Sequence, residues 1–356
     1  MRMGIIGLPQ AGKTTIFNAL TRGREQTGAG VGRMEVHTAV VNVPDDRLEG
    51  LEAMFHPKKK IYAKVTYADI TGLGGASEIG EITGQLLNQL SQMDGFIHVV
   101  RAFNNPEVAH VHQRVDPQGD VMLMDDELML NDQIKVEHRL EKLADEHRKG
   151  VGRDKGVVER EIALFEKLGA ALNNGQPLRD LNLAKDDDAV LSGFGFLSRK
   201  PMLVLINLGE GQQQPAVQFN HQRVAIVSIQ GKLEMDIAQL PEADAAIFMT
   251  EYGLEEIGLA RMIRESYDLL GLQSFFTVGE DEVRAWTVHR GAVAPEAAGV
   301  IHTDMEKGFI RAEVISYVDL MDAGGMSEAR GKGTLRLEGK TYVVQDGDIL
   351  NIRFSK

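Results

Sequence analysis

The 356-residue chain has no cysteine, a single tryptophan and no basic excess: 39 Lys and Arg stand against 52 Asp and Glu, a formal charge of −13. Without thiols there are no disulfides, thiolate metal sites or cysteine nucleophiles, and a reducing compartment is compatible with that usage. The acidic balance argues against a generally basic nucleic-acid coat and leaves that role to a local patch. No apolar run approaches the roughly 18 residues of a membrane span. The apolar stretch at the N-terminus is too short for a signal peptide. A monomeric, soluble, cytoplasmic protein without a membrane partner is the expectation.

What the chain does have is concentrated at its start. Met3–Ile6 is a short apolar run, GLPQAGKT (7–14) follows, and Ile16, Phe17 and Leu20 then recur at helical spacing. Strand, glycine-bounded loop and helix are the context of the G-x-x-x-x-G-K-[ST] phosphate-binding loop. Gly7 and Gly12 let backbone N–H groups and the helix N-terminus converge on a phosphate chain, with Pro9, Gln10, Ala11 and Thr15 in the same cradle. Lys13 reaches the β- and γ-phosphates and Thr14 offers a hydroxyl to Mg²⁺. The expected ligand is ATP or GTP and the expected cofactor is Mg²⁺.

A second apolar alternation, IYAKVTYAD, ends in Asp69-Ile70-Thr71-Gly72. Behind a P-loop, Asp69 is placed to hold Mg²⁺ through water and the Gly72 N–H to register the γ-phosphate. Leu73 is apolar where Ras-like enzymes carry a water-orienting glutamine, so hydrolysis must be arranged by another group or be slow. Thr27 and Thr38 are both available as a switch threonine, and Thr38 reads equally as a sheet residue. HPKKK (56–60) is a small basic run, either solvated surface or a contact for an anionic partner. After the strand-like GFIHVVRAF (95–103), His110 and His112 stand two apart. They fit a metal pair that lacks a third ligand, or a histidine carried by a loop to the γ-phosphate.

From about Asp125 the chain turns charged and helical. Leu128, Ile134, Leu140 and Leu143 repeat by turns, as do Val158, Ile162, Phe165 and Leu172 beyond a glycine-rich break. This predicts an antiparallel αα-hairpin whose apolar stripe is either its own seam or a recognition surface. PMLVLINLGE restores a buried strand ending in Asn207-Leu208-Gly209-Glu210. Ras-like GTPases end this strand in N-K-x-D, whose Asp reads guanine. Leu208 and Glu210 weaken that fit and make adenine credible. Ser228 and Ile229, at the end of VAIVSI, are expected to pack over the base. The spacing thus predicts an α/β P-loop NTPase G domain with a mostly parallel sheet (1–124 and 199–271). A helical hairpin (125–198) interrupts it, and a C-terminal β-grasp domain (272–356) follows. In that last domain Trp286 and Phe309 read as core or as ligand stack.

GLPQAGKTTIFNAL, DITGLGGAS (69–77), INLGE and the tail VRAWTVHRGAVAPEAAGVIHTDMEKGFIRAEV, with YVVQDGDILNIRF, resemble the YchF family of Obg-related P-loop NTPases over nearly the full chain. The resemblance implies that the tail is that family's TGS domain. It implies an Mg²⁺-dependent hydrolase that accepts ATP despite a GTPase-like fold and acts as a ribosome-associated switch. Ribosomal RNA contact would run through the TGS domain and a groove, and water would attack the γ-phosphate directly. Lys13 is then catalytic, and PEVAHV puts the family's assisting histidine at His110. A nucleotide-gated binding module with little turnover, or a GTP-preferring GTPase, stays open. Three departures stand out: Gln10 replaces the family's usual Asn, Arg33–His37 replaces TIEPN, and SIQGKLE stands for SAKxE with Ile229 in place of Ala.

Overall fold

The computed structural model describes residues 1–21, 37–70, 84–106, 108, 110, 112–149, 153–251 and 256–355. Thr27, Gly72 and Leu73 lie outside these residues, as does most of the Arg33–His37 segment. The strands are β1 (Arg2–Ile6), β2 (His37–Asn42), β3 (Lys59–Ile61), β4 (Lys64–Asp69), β5 (Gly95–Arg101), β6 (Met202–Asn207), β7 (Val224–Ile229), β8 (Leu272–Val278), β9 (Glu282–His289), β10 (Phe309–Ser316), β11 (Arg336–Glu338) and β12 (Asp348–Phe354). The first ten helices are α1 (Lys13–Thr21), α2 (Asp46–Phe55), α3 (Gly84–Ser91), α4 (Pro117–Lys149), α5 (Lys155–Asn173), α6 (Lys185–Leu191), α7 (Gly231–Gln239), α8 (Glu242–Glu251), α9 (Gly258–Leu269) and α10 (Ala294–Ile301). No helix among the described residues is long and apolar enough to cross a membrane.

The chain forms two compact units, Met1–Ala39 with Thr66–Met262, and Val40–Val65 with Ile263–Lys356. In the first, the sheet order is β2-β4-β1-β5-β6-β7. β1 pairs in parallel with β4 and β5, and β5–β6–β7 continue in parallel. Every residue of β5 and β6 is buried, which is why both read as unbroken apolar runs. The α/β P-loop NTPase fold is therefore as the sequence indicates.

The hairpin's stripe is its own seam. Met129, Val136 and Leu143 of α4 recur every seventh residue and share one core with Val158, Phe165 and Leu172 of α5. Ile134, assigned to that face from sequence, is 48 % exposed instead, because the seam follows a heptad one residue row away. α4 also starts at Pro117 rather than near Asp125, since proline suits a first helical turn. Asp132 pins α4 to the returning chain by accepting from Leu197 N (2.8 Å), Ser198 N (2.7 Å) and Ser198 Oγ (2.8 Å).

The second unit holds the sheet β11-β10-β12-β8-β9-β3, in which α10 shares the core of β8, β10 and β12. Residues 40–65, read from sequence as part of the G domain, belong to this unit. β3 pairs in parallel with β9, and Arg47 meets Asp346 at 2.7 Å. Two lysines of the basic run are paired there: Lys58 with Asp281, and Lys60 with Glu49 and Glu52. Phe309 is core, 4 % exposed. Trp286 packs at the core's edge, donates to Thr277 Oγ1 and carries the Arg284 guanidinium 3.8 Å over its ring.

Candidate active site

The loop between β1 and α1 is shaped by two glycines that no other residue replaces. Gly7 has φ +145°, and a Cβ there would lie 2.4 Å from the Val99 carbonyl oxygen. Gly12 has φ +100°, and its Cβ would lie 2.3 Å from Asn207 Nδ2. Lys13 opens α1, and its Nζ donates to the Gly7 and Leu8 carbonyls at 2.9 Å each. Burial lowers its pKa to about 8, partly opposed by the nearby Asp69 charge. The ammonium is thus held across the loop mouth by two weak acceptors that a phosphate can replace.

Asp69 ends β4, beside Ile5 of β1, and is 2 % exposed. Its Oδ1 has no hydrogen-bond partner. Burial raises its pKa, against Lys13, His37 and a hydrogen bond from Thr14. A buried carboxylate oxygen without a partner, next to a threonine hydroxyl, is a donor set suited to a hard cation such as Mg²⁺. No group of three or more His, Cys, Asp or Glu able to hold a metal occurs among the described residues.

Asn207 ties the loop to the sheet's far side. Its Nδ2 donates to Ala11 O (2.9 Å) and its Oδ1 accepts from Gly231 N (3.0 Å). Beyond it opens a cleft of about 810 Å³ lined by Gln10, Gly12, Lys13, Thr14 and Thr15, by Asn207–Glu210, by Phe103–Pro106 with Val108, and by residues of α7 and α8. Of the residues assigned from sequence, Pro9, Ala11, Ser228 and Ile229 do not line it. Ser228 and Ile229 belong to β7, where the Ser228 hydroxyl is taken by Gln214 (2.7 Å) and Ile229 is 3 % exposed. The lining begins two positions later, with Gln230, then Lys232 and Leu233.

His110 does not line the cleft. It is 7 % exposed, with Nε2 3.0 Å from Asp120 Oδ2 and Nδ1 accepting from His112 N at 3.1 Å. A ring that accepts at Nδ1 and faces a carboxylate at Nε2 carries its proton on Nε2. No carboxylate joins His110 and His112 in a metal cluster among the described residues.

Comparison with known proteins places this geometry. The family model "50S ribosome-binding GTPase" matches residues 2–124, and YchF-GTPase_C, described as "Protein of unknown function (DUF933)", matches 272–355. The "Ribosome-binding ATPase YchF" of Bacillus subtilis is 37 % identical over 99 % of this chain and 98 % of its own. That of Escherichia coli O157:H7 is 39 % identical over 99 % of each. The chain belongs to the YchF family. It is accordingly a nucleoside triphosphate hydrolase of the P-loop class. The solved YchF GTPase of Schizosaccharomyces pombe superposes with a TM-score of 0.85 at 29 % identity, covering 99 % of this chain and 97 % of that one. The C-terminal sheet is consistent with the TGS domain of YchF proteins.

Set against the YchF pattern, the departures acquire physical content. Gln10 adopts φ +63°, a left-handed conformation that Asn tolerates better than Gln. In the SIQGKLE segment, Gly231 opens α7, where a Cβ would lie 2.7 Å from Asn207 Oδ1. Glu234 is 7 % exposed and accepts from Gly258 N (2.7 Å) and Leu259 N (3.3 Å), capping α9. Sequence reasoning also missed Phe103–Pro106. The signal was their position just past β5, since open parallel sheets bind ligands outside their strands' carboxyl ends.

Proposed function

We propose that this YchF-family protein is an Mg²⁺-dependent ATPase that favours ATP over GTP and works as a ribosome-associated nucleotide switch. One observation carries the reading: Lys13 lies across a P-loop whose neighbour, Asp69, offers a buried unpartnered oxygen, at the foot of a cleft with Phe103, Leu208, Leu233 and Met235 in its walls. In this scheme the P-loop amides and Lys13 hold the β- and γ-phosphates and stabilise the charge that develops as water attacks phosphorus in line. Thr14 and Asp69 would hold Mg²⁺, which when bound neutralises phosphate charge. No residue forms a phosphoenzyme.

The base side supports adenine. Asn207 spends both ends of its amide on the protein, Leu208 is apolar, and Glu210 is an exposed residue of a turn. None of these offers guanine a fixed Asp. His110 joins the scheme as an assisting group that exchanges Asp120 for the reacting water. Ribosome association comes from the relatives' names and is assigned here to the TGS domain, with ribosomal RNA contacted through it and a groove. A cytoplasmic monomer, with a hairpin whose first helix starts at Pro117 and a TGS domain bounded as read from sequence, completes the proposal; residues 40–65 are counted with the C-terminal unit. Equilibrium binding of ATP against GTP, with single-turnover hydrolysis with and without ribosomes, tests it. A strong GTP preference contradicts the base assignment, and ATP bound without phosphate release contradicts the ATPase assignment.

A further inference from the structure

The base-side end of the cleft has two walls that come from different strands. One follows β5 and starts at Phe103. The other follows β6 and is the turn Gly209-Glu210-Gly211-Gln212. The turn is closed by the Gln212 N to Gly209 O bond of 3.2 Å, and Gly211 takes the φ of +66° that favours glycine. The walls come close at Gly209, where a Cβ would lie 3.5 Å from Phe103 Cβ.

The side chain of Gln212 joins them. Gln212 Oε1 accepts from Gly209 N at 3.0 Å, and Gln212 Nε2 donates to Ala102 O at 2.7 Å. The first bond closes the turn a second time; the second fastens it to the residue that roots the opposite wall. Gln212 is outside the cleft lining, so it reaches a ligand only through Leu208, Glu210 and Phe103, which do line it. The Phe103 wall has its own anchor. Arg101, 2 % exposed, donates to Phe103 O (3.1 Å) and Val108 O (2.8 Å), with its guanidinium 4.6 Å over the Phe103 ring. For the Glu210 turn, Gln212 supplies the tie.

We propose that Gln212 is the positioning residue for the nucleoside end of the cleft, setting the slot between Phe103 and the Leu208–Glu210 turn. The inference rests on the nucleotide reading above. Its mechanism is preorganisation: a turn fixed before binding costs the ligand less ordering. Phosphate binding, which depends on the P-loop, lies outside its reach.

The test uses the full chain and three ligands, ATP, GTP and inorganic tripolyphosphate, with dissociation constants from calorimetry. Gln212→Ala removes both bonds. Gln212→Glu keeps the acceptor for Gly209 N–H and loses the donor to Ala102 O. One hydrogen bond of this kind corresponds to about fivefold in affinity. The expected result is that Gln212→Ala weakens ATP and GTP by about fivefold or more, that Gln212→Glu, which sets a carboxylate oxygen against Ala102 O, weakens them at least as much, and that tripolyphosphate binding stays unchanged under Gln212→Ala. Equal nucleotide affinities in wild type and Gln212→Ala overturn the inference while leaving the nucleotide site standing. Equal weakening of all three ligands also overturns it, because the effect is then not confined to the nucleoside. Wild type that binds tripolyphosphate as tightly as either nucleotide overturns the base-side reading, and the inference with it.

Discussion

Raising the pH through the titration of Lys13 gives the sharpest test of how the P-loop works. In the free protein, burial sets this lysine's pKa at about 8. Bound phosphate adds negative charge beside the ammonium and raises that pKa, so binding takes up a proton above pH 8. Affinity is then fully present below pH 8 and is lost as pH rises, by roughly tenfold per unit until the bound-state pKa is reached. From pH 8 to 10 the loss approaches about 50-fold. The stability of the free protein moves the other way. Lys13's folded pKa lies below the unfolded value of 10.5, so the unfolded chain binds more protons between pH 8 and 10.5, and this group's penalty on folding shrinks across that window. The assay is displacement of a fluorescent nucleotide from pH 7 to 10, beside urea unfolding at the same pH values. Lys13→Arg keeps its charge throughout and serves as the flat control. A wild-type dissociation constant that does not change between pH 7 and 10 refutes the reasoning.

Other perturbations read different parts of the structure. Asp132→Ala orphans two buried N–H groups and a hydroxyl, at a cost of about 3 kcal/mol in urea unfolding; a loss below ~1 kcal/mol would show that water or the loop replaces the carboxylate. Gln10→Asn relieves a left-handed glutamine and raises stability by about 0.5 kcal/mol; a drop in melting temperature contradicts the strain. His110→Ala lowers turnover by about 100-fold with nucleotide affinity unchanged, and equal turnover in wild type and variant removes the histidine from the mechanism. Arg101→Met frees the Phe103 wall from its carbonyl anchors and weakens nucleotide binding more than tripolyphosphate binding; parallel losses point to general disruption of the sheet edge.

What was legible in the sequence was what local spacing carries. GLPQAGKT fixes strand, loop and helix within a few residues, and Asp69 ends an alternation that can only be a strand. The buried runs of β5 and β6 announce a parallel sheet. Features set by long-range pairing stayed hidden. β3 is three residues long, and nothing in Lys59–Ile61 names β9 as its partner. The seam of α4 could not be phased from one helix, because Ile134 and Val136 are equally apolar and only the facing Val158 and Phe165 choose between them. Ser228 and Ile229 read as loop because the end of a β-strand is invisible in an apolar pattern; Gly231, which must pass close to Asn207, is where α7 starts. His110 was legible as a chemical group, and its pairing with Asp120 became visible only once α4 began at Pro117.

The central claim is that the P-loop and Asp69 hold a triphosphate for hydrolysis. Single-turnover release of phosphate from ATP, by wild type and by Lys13→Ala with and without Mg²⁺, measures it most directly. Mg²⁺-dependent release by wild type and none by the variant is the expected outcome. Release at equal rates by both proteins would contradict it.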